Sequence, residues 1–299
     1  TILFLFWTIS ILAQKVLLKK DEVLNNAKAY VVLGSAMVGA LAYTFSDSFW
    51  YSAVESEVYA MSSFLMALLF WLGLKWEAEM DEPHGNRWLL LISLVVGLSF
   101  GVHILSLLVI PPIVFLYIYK RYDIKNFKQF VLANIVAILF LAFTFKFLFP
   151  FTLKYFSAME LFFVNSIGMP FNSGSIIAGI LMIAAFYFGL QYTHKKNLVT
   201  AHTLILSVLF IVIGFSSWLM LPIRANANPM INENNPSSAR ELLAYYNREQ
   251  YGDANVFYDK YYSYSYKGEK DKDQPYRDDI LKYEKDKKSG KYIIVNQDT

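Results

Sequence analysis

Eight apolar runs, at about residues 1–18, 30–46, 58–74, 88–101, 104–119, 130–149, 174–192 and 203–221, constrain this chain more than any other feature. A helix needs roughly 20 mostly apolar residues to cross about 30 Å of hydrocarbon, and somewhat shorter ones are tolerated. The charges agree. Of 51 charged side chains, 25 lie in residues 225–299, which leaves 26 for the first 224. A soluble domain carries roughly a quarter charged residues throughout. An ordinary soluble enzyme, a disordered chain and a disulfide scaffold are therefore excluded. The expected fold is an all-α polytopic membrane domain over 1–224, with a polar outer segment over 225–299.

The pair 88–101 and 104–119 needs arbitration. As one rod, Trp88–Tyr119 is too long for a simple span, and Gly97, Gly101 and Pro111-Pro112 argue for a break. Cytoplasmic connections are enriched in Lys and Arg. Lys15, Lys19, Lys20, Lys28, Lys75, Arg87, Lys120, Arg121, Lys125, Lys128, Lys195 and Lys196 all fall on one side only if 88–119 crosses twice. Two short helices meeting near Val102-His103 are expected, giving eight crossings with both chain ends outside. Residues 150–173 are aromatic and amphipathic, and fit an interfacial or re-entrant outer helix. After Arg224, Asn226–Pro236 reads as a turn-rich linker. Ser238-Ala-Arg-Glu241 then reads as a capping box opening a helix at about 239–248. Thr1 opens directly on an apolar run, with no basic leader and no small-residue cleavage site. The chain is read as starting part-way into a longer protein.

The net charge of +3 gives no reason to expect a nucleic-acid partner. The absence of cysteine removes thiolate nucleophiles, disulfides, iron–sulfur clusters and Cys-ligated zinc. His84, His194 and His202 have no ligand-like spacing. Phosphate-loop, dinucleotide, zinc-protease and serine-hydrolase motifs are missing. No cofactor is expected, a divalent metal being neither required nor barred by the residues.

The outer connection 45–61 carries Asp47, Glu55 and Glu57 and no basic residue. Acids at membrane depth are costly and usually face a cavity, a partner or a pathway. Paired carboxylates can supply a general base and a hydroxyl contact, or simply mark a solvated loop. If helical, Glu55 and Tyr59 share a face and Glu57 points elsewhere. His103, at the expected break, either contacts a lipid phosphate or satisfies freed backbone carbonyls. Gly97 and Gly101, four apart, permit close helix packing. Arg224 closes the last run and runs against the positive-inside trend. It is read either as an anion ligand or as snorkelling to headgroups.

Three stretches are Ser52-Ala-Val-Glu-Ser-Glu-Val-Tyr-Ala-Met-Ser62, Gly97-Leu-Ser-Phe-Gly-Val-His-Ile-Leu-Ser-Leu-Leu-Val-Ile-Pro111 and Tyr246-Asn-Arg-Glu-Gln-Tyr-Gly-Asp253. They resemble bacterial protein O-mannosyltransferase-like membrane proteins, placed in glycosyltransferase family 117. Asn165-Ser-Ile-Gly-Met-Pro-Phe-Asn-Ser-Gly174 and Pro229-Met-Ile-Asn-Glu-Asn-Asn-Pro236 fit as well. The resemblance implies a C-superfamily glycosyltransferase fold in the bacterial inner membrane, with the tail periplasmic. It implies a polyprenyl-phosphate sugar donor and a protein or glycan acceptor at the outer face. A carboxylate would act as base on the acceptor hydroxyl while cations hold the phosphate.

On that basis Glu57 and Glu55 are the catalytic candidates, His103 and Arg224 the phosphate ligands, and Asp47 and Tyr59 the cavity lining. The tail is expected to pack as an outer domain whose first helix lies over the membrane cavity. The family's first outer loop, with its own acidic motif, would precede the run at 1–18. Gly252–Tyr262 departs from the family form, which has a basic-Pro pair and a Gly where Ala254, Asn255 and Asp259 stand. A transporter or flippase of a lipid-linked substrate, and a non-catalytic subunit of an envelope complex, are the competing readings.

Overall fold

The structure is a computed structural model and describes residues 1–19, 22–251 and 281–295. It forms two compact units, residues 1–147 with 186–218, and 148–185 with 219–299.

The first unit is helical: α1 (Ile2–Leu17), α2 (Asn26–Thr44), the short α3 (Asp47–Val54), α4 (Tyr59–Glu79), α5 (Asn86–Phe100), α6 (Ile110–Arg121) and α7 (Phe127–Ala142). Local chemistry sets the starts. The side chains of Asn25 and Asn126 each accept from a backbone N–H three residues on, at 2.9 Å, and so cap α2 and α7. Pro111-Pro112 stands in the first turn of α6, where a missing N–H is harmless. α5 ends at Phe100, and a tight 3₁₀ segment, Ile104–Val109, leads into α6. The expected break near His103 is therefore present.

Side-chain pairs fix helix directions. Phe4 meets Phe64 and Trp71, and Lys15 pairs with Glu77 at 2.6 Å, so α1 and α4 run parallel. Trp76 stacks on Tyr117 at 5.7 Å and Arg121 pairs with Asp81 at 2.6 Å, so α6 runs with α4. The later helix α10 (Val199–Phe215) crosses α5 at Gly97 and Gly214. A methyl on either glycine would strike the backbone of the other helix, which is why both positions need Gly. Asn86 also meets Thr203, so the start of α10 lies with that of α5, and the end of α1 shares one end, the basic one, with connections 80–85, 122–126 and 196–198. Connections 45–58 and 101–103 share the other, with Asp47, Glu55, Glu57 and His103.

The second unit contains α8 (Phe149–Leu161), the start of α9 (Ser173–Lys195), α11 (Met220–Asn226), α12 (Ala239–Asn247) and a hairpin of β1 (Tyr283–Asp286) and β2 (Lys291–Ile294). Tyr283 lies opposite Ile294, and Gly290 takes a positive φ of 69° at the turn. The chain is helical from Phe127 to Ser166 without interruption, 40 residues. At 1.5 Å per residue that is about 60 Å, twice the hydrocarbon thickness. No separate interfacial helix forms at 150–173. A wider π-type turn at Phe143–Leu148 precedes Pro150, and the helix passes the proline instead of breaking there.

α12 begins where the capping box placed it. The Ser238 hydroxyl accepts from Glu241 N–H at 3.4 Å, but the Glu241 carboxylate returns to Ser237, accepting from its N–H at 3.0 Å and its hydroxyl at 2.6 Å. The divergent stretch Gly252–Tyr262 lies outside the described residues. Among the described residues, six helices are long and apolar enough to cross a membrane. The runs at α1 and α5, of 16 and 15 residues, are shorter.

Candidate functional site

At the acidic end of the first unit, the Ser46 side chain accepts from Phe49 N–H and starts α3, with Asp47 in its first turn. Asp47 borders an open cleft of about 540 Å³, whose other walls are Phe45, Trp50, Tyr51 and Val54. All five residues are exposed, so this is a shallow groove along α3. α3 stops at Val54. Glu55 is extended, with φ −78° and ψ 145°, so Glu55 and Tyr59 do not share a helix face as the i, i+4 spacing predicted. Glu55 and Glu57 are exposed, and among the described residues neither carboxylate has a hydrogen-bond or ion-pair partner.

Tyr59 opens α4 and lies against the His103 ring, 5.5 Å between centroids. His103 is extended and half-buried, and its Nδ1 accepts from Leu105 N–H at 3.1 Å, capping the 3₁₀ segment. That bond places the neutral ring's proton on Nε2, which is left as a donor. The ring therefore serves the broken backbone by accepting from a freed N–H, not by donating to a freed carbonyl as expected. Within this unit, Tyr59 and His103 are in direct contact, and Asp47 belongs to the groove. Arg224 lies in the second unit, in the last turn of α11. It is exposed and has no partner among the described residues.

The second unit holds a polar centre that the sequence analysis did not single out. Glu160, 0% exposed, receives four hydrogen bonds. Oε1 accepts from Asn172 N–H at 2.6 Å and Tyr292 O–H at 3.2 Å. Oε2 accepts from Ser175 N–H at 2.8 Å and Ser175 O–H at 2.9 Å. Asn165 grips the backbone of Tyr292 from both sides, donating to its carbonyl at 2.8 Å and accepting its N–H at 2.9 Å. Phe171 packs edge-on against the same ring. Burial pushes the Tyr292 phenol well above its ordinary range, and the Glu160 charge adds to it. Gly174 fits tightly against the α8 backbone at Met159 and Glu160. The stretch Asn165–Gly174 thus works as a clamp. A lone acid inside an apolar helical run was the signal available in sequence, since such acids seldom lack a partner.

The helices define a multi-pass helical protein whose first unit has a basic end and an acidic end. Residues 1–126 match a family model described as the protein O-mannosyl-transferase TMEM260 N-terminal domain. No curated protein and no solved structure matches the chain. The matched stretch includes Asp47, Glu55, Glu57, Tyr59 and His103, so the acidic end is similar to that of an O-mannosyltransferase-type family. Among the described residues no cluster of three His, Asp or Glu could hold a metal ion.

Proposed function

We propose that the chain is a membrane glycosyltransferase. It moves a mannose-like sugar from a polyprenyl-phosphate donor to a protein or glycan acceptor at its acidic end. All eight apolar runs cross the membrane, the basic end is cytoplasmic, and the acidic end and the tail are periplasmic, at a bacterial inner membrane of the family 117 type. The observation that carries this reading is the acidic end itself. Carboxylates without a partner among the described residues, the Tyr59–His103 contact and the Asp47 groove lie within residues similar to a mannosyltransferase family.

In this mechanism Glu57, with Glu55 as second candidate, accepts the proton of the acceptor hydroxyl as that oxygen attacks the anomeric carbon. The sugar–phosphate bond breaks, and the phosphate leaves on its lipid. His103 Nε2–H and Arg224 are assigned to the phosphate oxygens, and Asp47 and Tyr59 to the sugar. A carboxylate within reach of the hydroxyl suits general-base work, and cationic or N–H donors suit the departing charge.

The test is transfer from polyprenyl-phosphate mannose by the protein in membranes, compared with Glu57→Gln and His103→Asn. Asparagine is a good cap and should keep the Leu105 bond while losing the distal donor. A lost bond to a charged group is worth about 1.5–3 kcal/mol, so donor affinity should fall roughly tenfold to a hundredfold in His103→Asn. Glu57→Gln should lower turnover with little change in donor affinity. Normal rates and affinity in both variants would overturn the assignment. Translocation of the lipid-linked sugar without transfer would favour a flippase, and binding without either would favour a non-catalytic subunit.

A further inference from the structure

The connection between α11 and α12 is held to the end of α11 by two asparagines, Asn226 and Asn232. Asn226 Nδ2 donates to Pro222 O at 2.7 Å and Ser237 O at 2.8 Å. Asn232 Nδ2 donates to Ala225 O at 3.1 Å and Asn235 Oδ1 at 3.0 Å. Asn228, Asn234 and Asn235 take positive φ values of 50°, 57° and 37°, a conformation that Asn tolerates better than most residues. The loop is therefore pinned to the end of α11 and shaped by its polar groups. Its two large apolar residues are left outside: Met230 is 105% exposed and Ile231 87%. On α11 itself Met220 and Ile223 are also exposed.

We propose that Met230 and Ile231 insert into the bilayer interface beside α11, as a preformed wedge on the outer leaflet. The occupant is lipid, and the argument is continuity with the lipid-facing span. The helical run Val199–Asn226 has 28 residues and ranks among the helices able to cross a membrane. At 1.5 Å per residue it is about 42 Å long, enough to pass the hydrocarbon and reach the headgroups. The Asn232–Ala225 bond folds the loop back onto the end of that run, so its tip stands at interface depth. Interfacial elements bury apolar side chains roughly 5–10 Å into the headgroup and acyl boundary. Arg224, one turn back on α11, is then at phosphate depth, as a lipid-phosphate contact requires.

The chain contains no cysteine, so Met230→Cys, Ile231→Cys and Lys288→Cys can each carry a single spin label. Lys288 stands exposed in the hairpin turn and serves as the aqueous reference. In vesicles of phosphatidylglycerol and phosphatidylethanolamine, labels at 230 and 231 should collide more with oxygen than with a water-soluble nickel chelate. The label at 288 should show the reverse. An aqueous profile at 230 and 231 would overturn the proposal. So would exclusion of both reagents there, which would mean that protein covers the loop. Ile231→Trp gives an independent reading: brominated lipids should quench its added fluorescence, and a failure to quench counts equally against insertion.

Discussion

Replacing Glu160 by Gln tests whether one buried carboxylate holds the second unit together. Gln has the same shape but one acceptor oxygen. If that oxygen stays with Asn172 N–H and Tyr292 O–H, the new amide N–H₂ faces Ser175. The Ser175 hydroxyl can turn and accept, but the Ser175 N–H is left facing another donor. An orphaned buried donor costs about 1–3 kcal/mol. The two retained bonds also lose charge assistance, falling from about 1.5–3 to about 0.5–1.5 kcal/mol each. Against this, the variant no longer has to bury a charge, a desolvation cost of several kcal/mol that offsets much of the loss.

A net loss of about 2 kcal/mol follows, which is roughly a thirtyfold rise in local opening. The assay is amide hydrogen exchange over Lys291–Ile294 in lipid nanodiscs. The Tyr292 N–H bonded to Asn165 is the reporter, and Asn165→Ala sets the fully undocked limit. If Glu160→Gln leaves that amide as protected as in the parent while Asn165→Ala exposes it, Glu160 does not hold the hairpin and the reasoning fails. Increased protection would refute it too, because desolvation of the carboxylate would then outweigh its four bonds.

Gly214→Ala should lower stability by about 1–3 kcal/mol, since its Cβ meets the Leu94 carbonyl and Leu98 nitrogen, backbone atoms that cannot swing away. Gly179→Ala, with open space around it, should be neutral or slightly stabilising in the same thermal unfolding assay. Tyr292 is kept protonated in the folded unit above the pH at which an unfolded tyrosine, pKa about 10, ionises. Its contribution is therefore complete below about pH 10 and is lost as pH rises beyond that, and an alkaline destabilisation absent from Tyr292→Phe would confirm the sign. Cysteines at positions 57 and 125 should label from opposite faces of the membrane. Labelling of both by an impermeant outer reagent would break the assignment of the two ends.

Much of the helical framework could be read from the chain because it follows from local rules. Apolar length located the long helices, and Gly97-x-x-x-Gly101 with Pro111-Pro112 marked the break before α6. The Ser238 box placed α12 within a residue, although the returning carboxylate chose Ser237. Long-range pairings could not be read. Nothing in the spacing of residues 150–175 says that Glu160 meets a tyrosine 132 residues later, or that Asn165 holds that tyrosine's backbone. The interfacial helix expected at 150–173 did not separate, because the chain widens to a π-type turn at Phe143–Leu148 and stays helical through Ser166. Glu55 and Tyr59 would share a face only in a continuous helix, and the chain turns extended at Glu55.

Burial alone would select Glu160 as the catalytic carboxylate, and the geometry argues against that choice. A general base must present a lone pair to the proton it takes. Glu160 directs both oxygens at four donors within its own unit, so a proton could reach it only after the clamp had opened. Its environment suits a hinge pin. Glu57 and Glu55 show the opposite arrangement, with both carboxylates exposed and no partner among the described residues. They would become effective only when donor and acceptor cover the acidic end and exclude solvent, which strengthens interactions with developing charge. The proposed chemistry therefore needs a bound substrate to complete its own site. This is why turnover in Glu57→Gln, measured at saturating donor, separates a catalytic carboxylate from a solvated one.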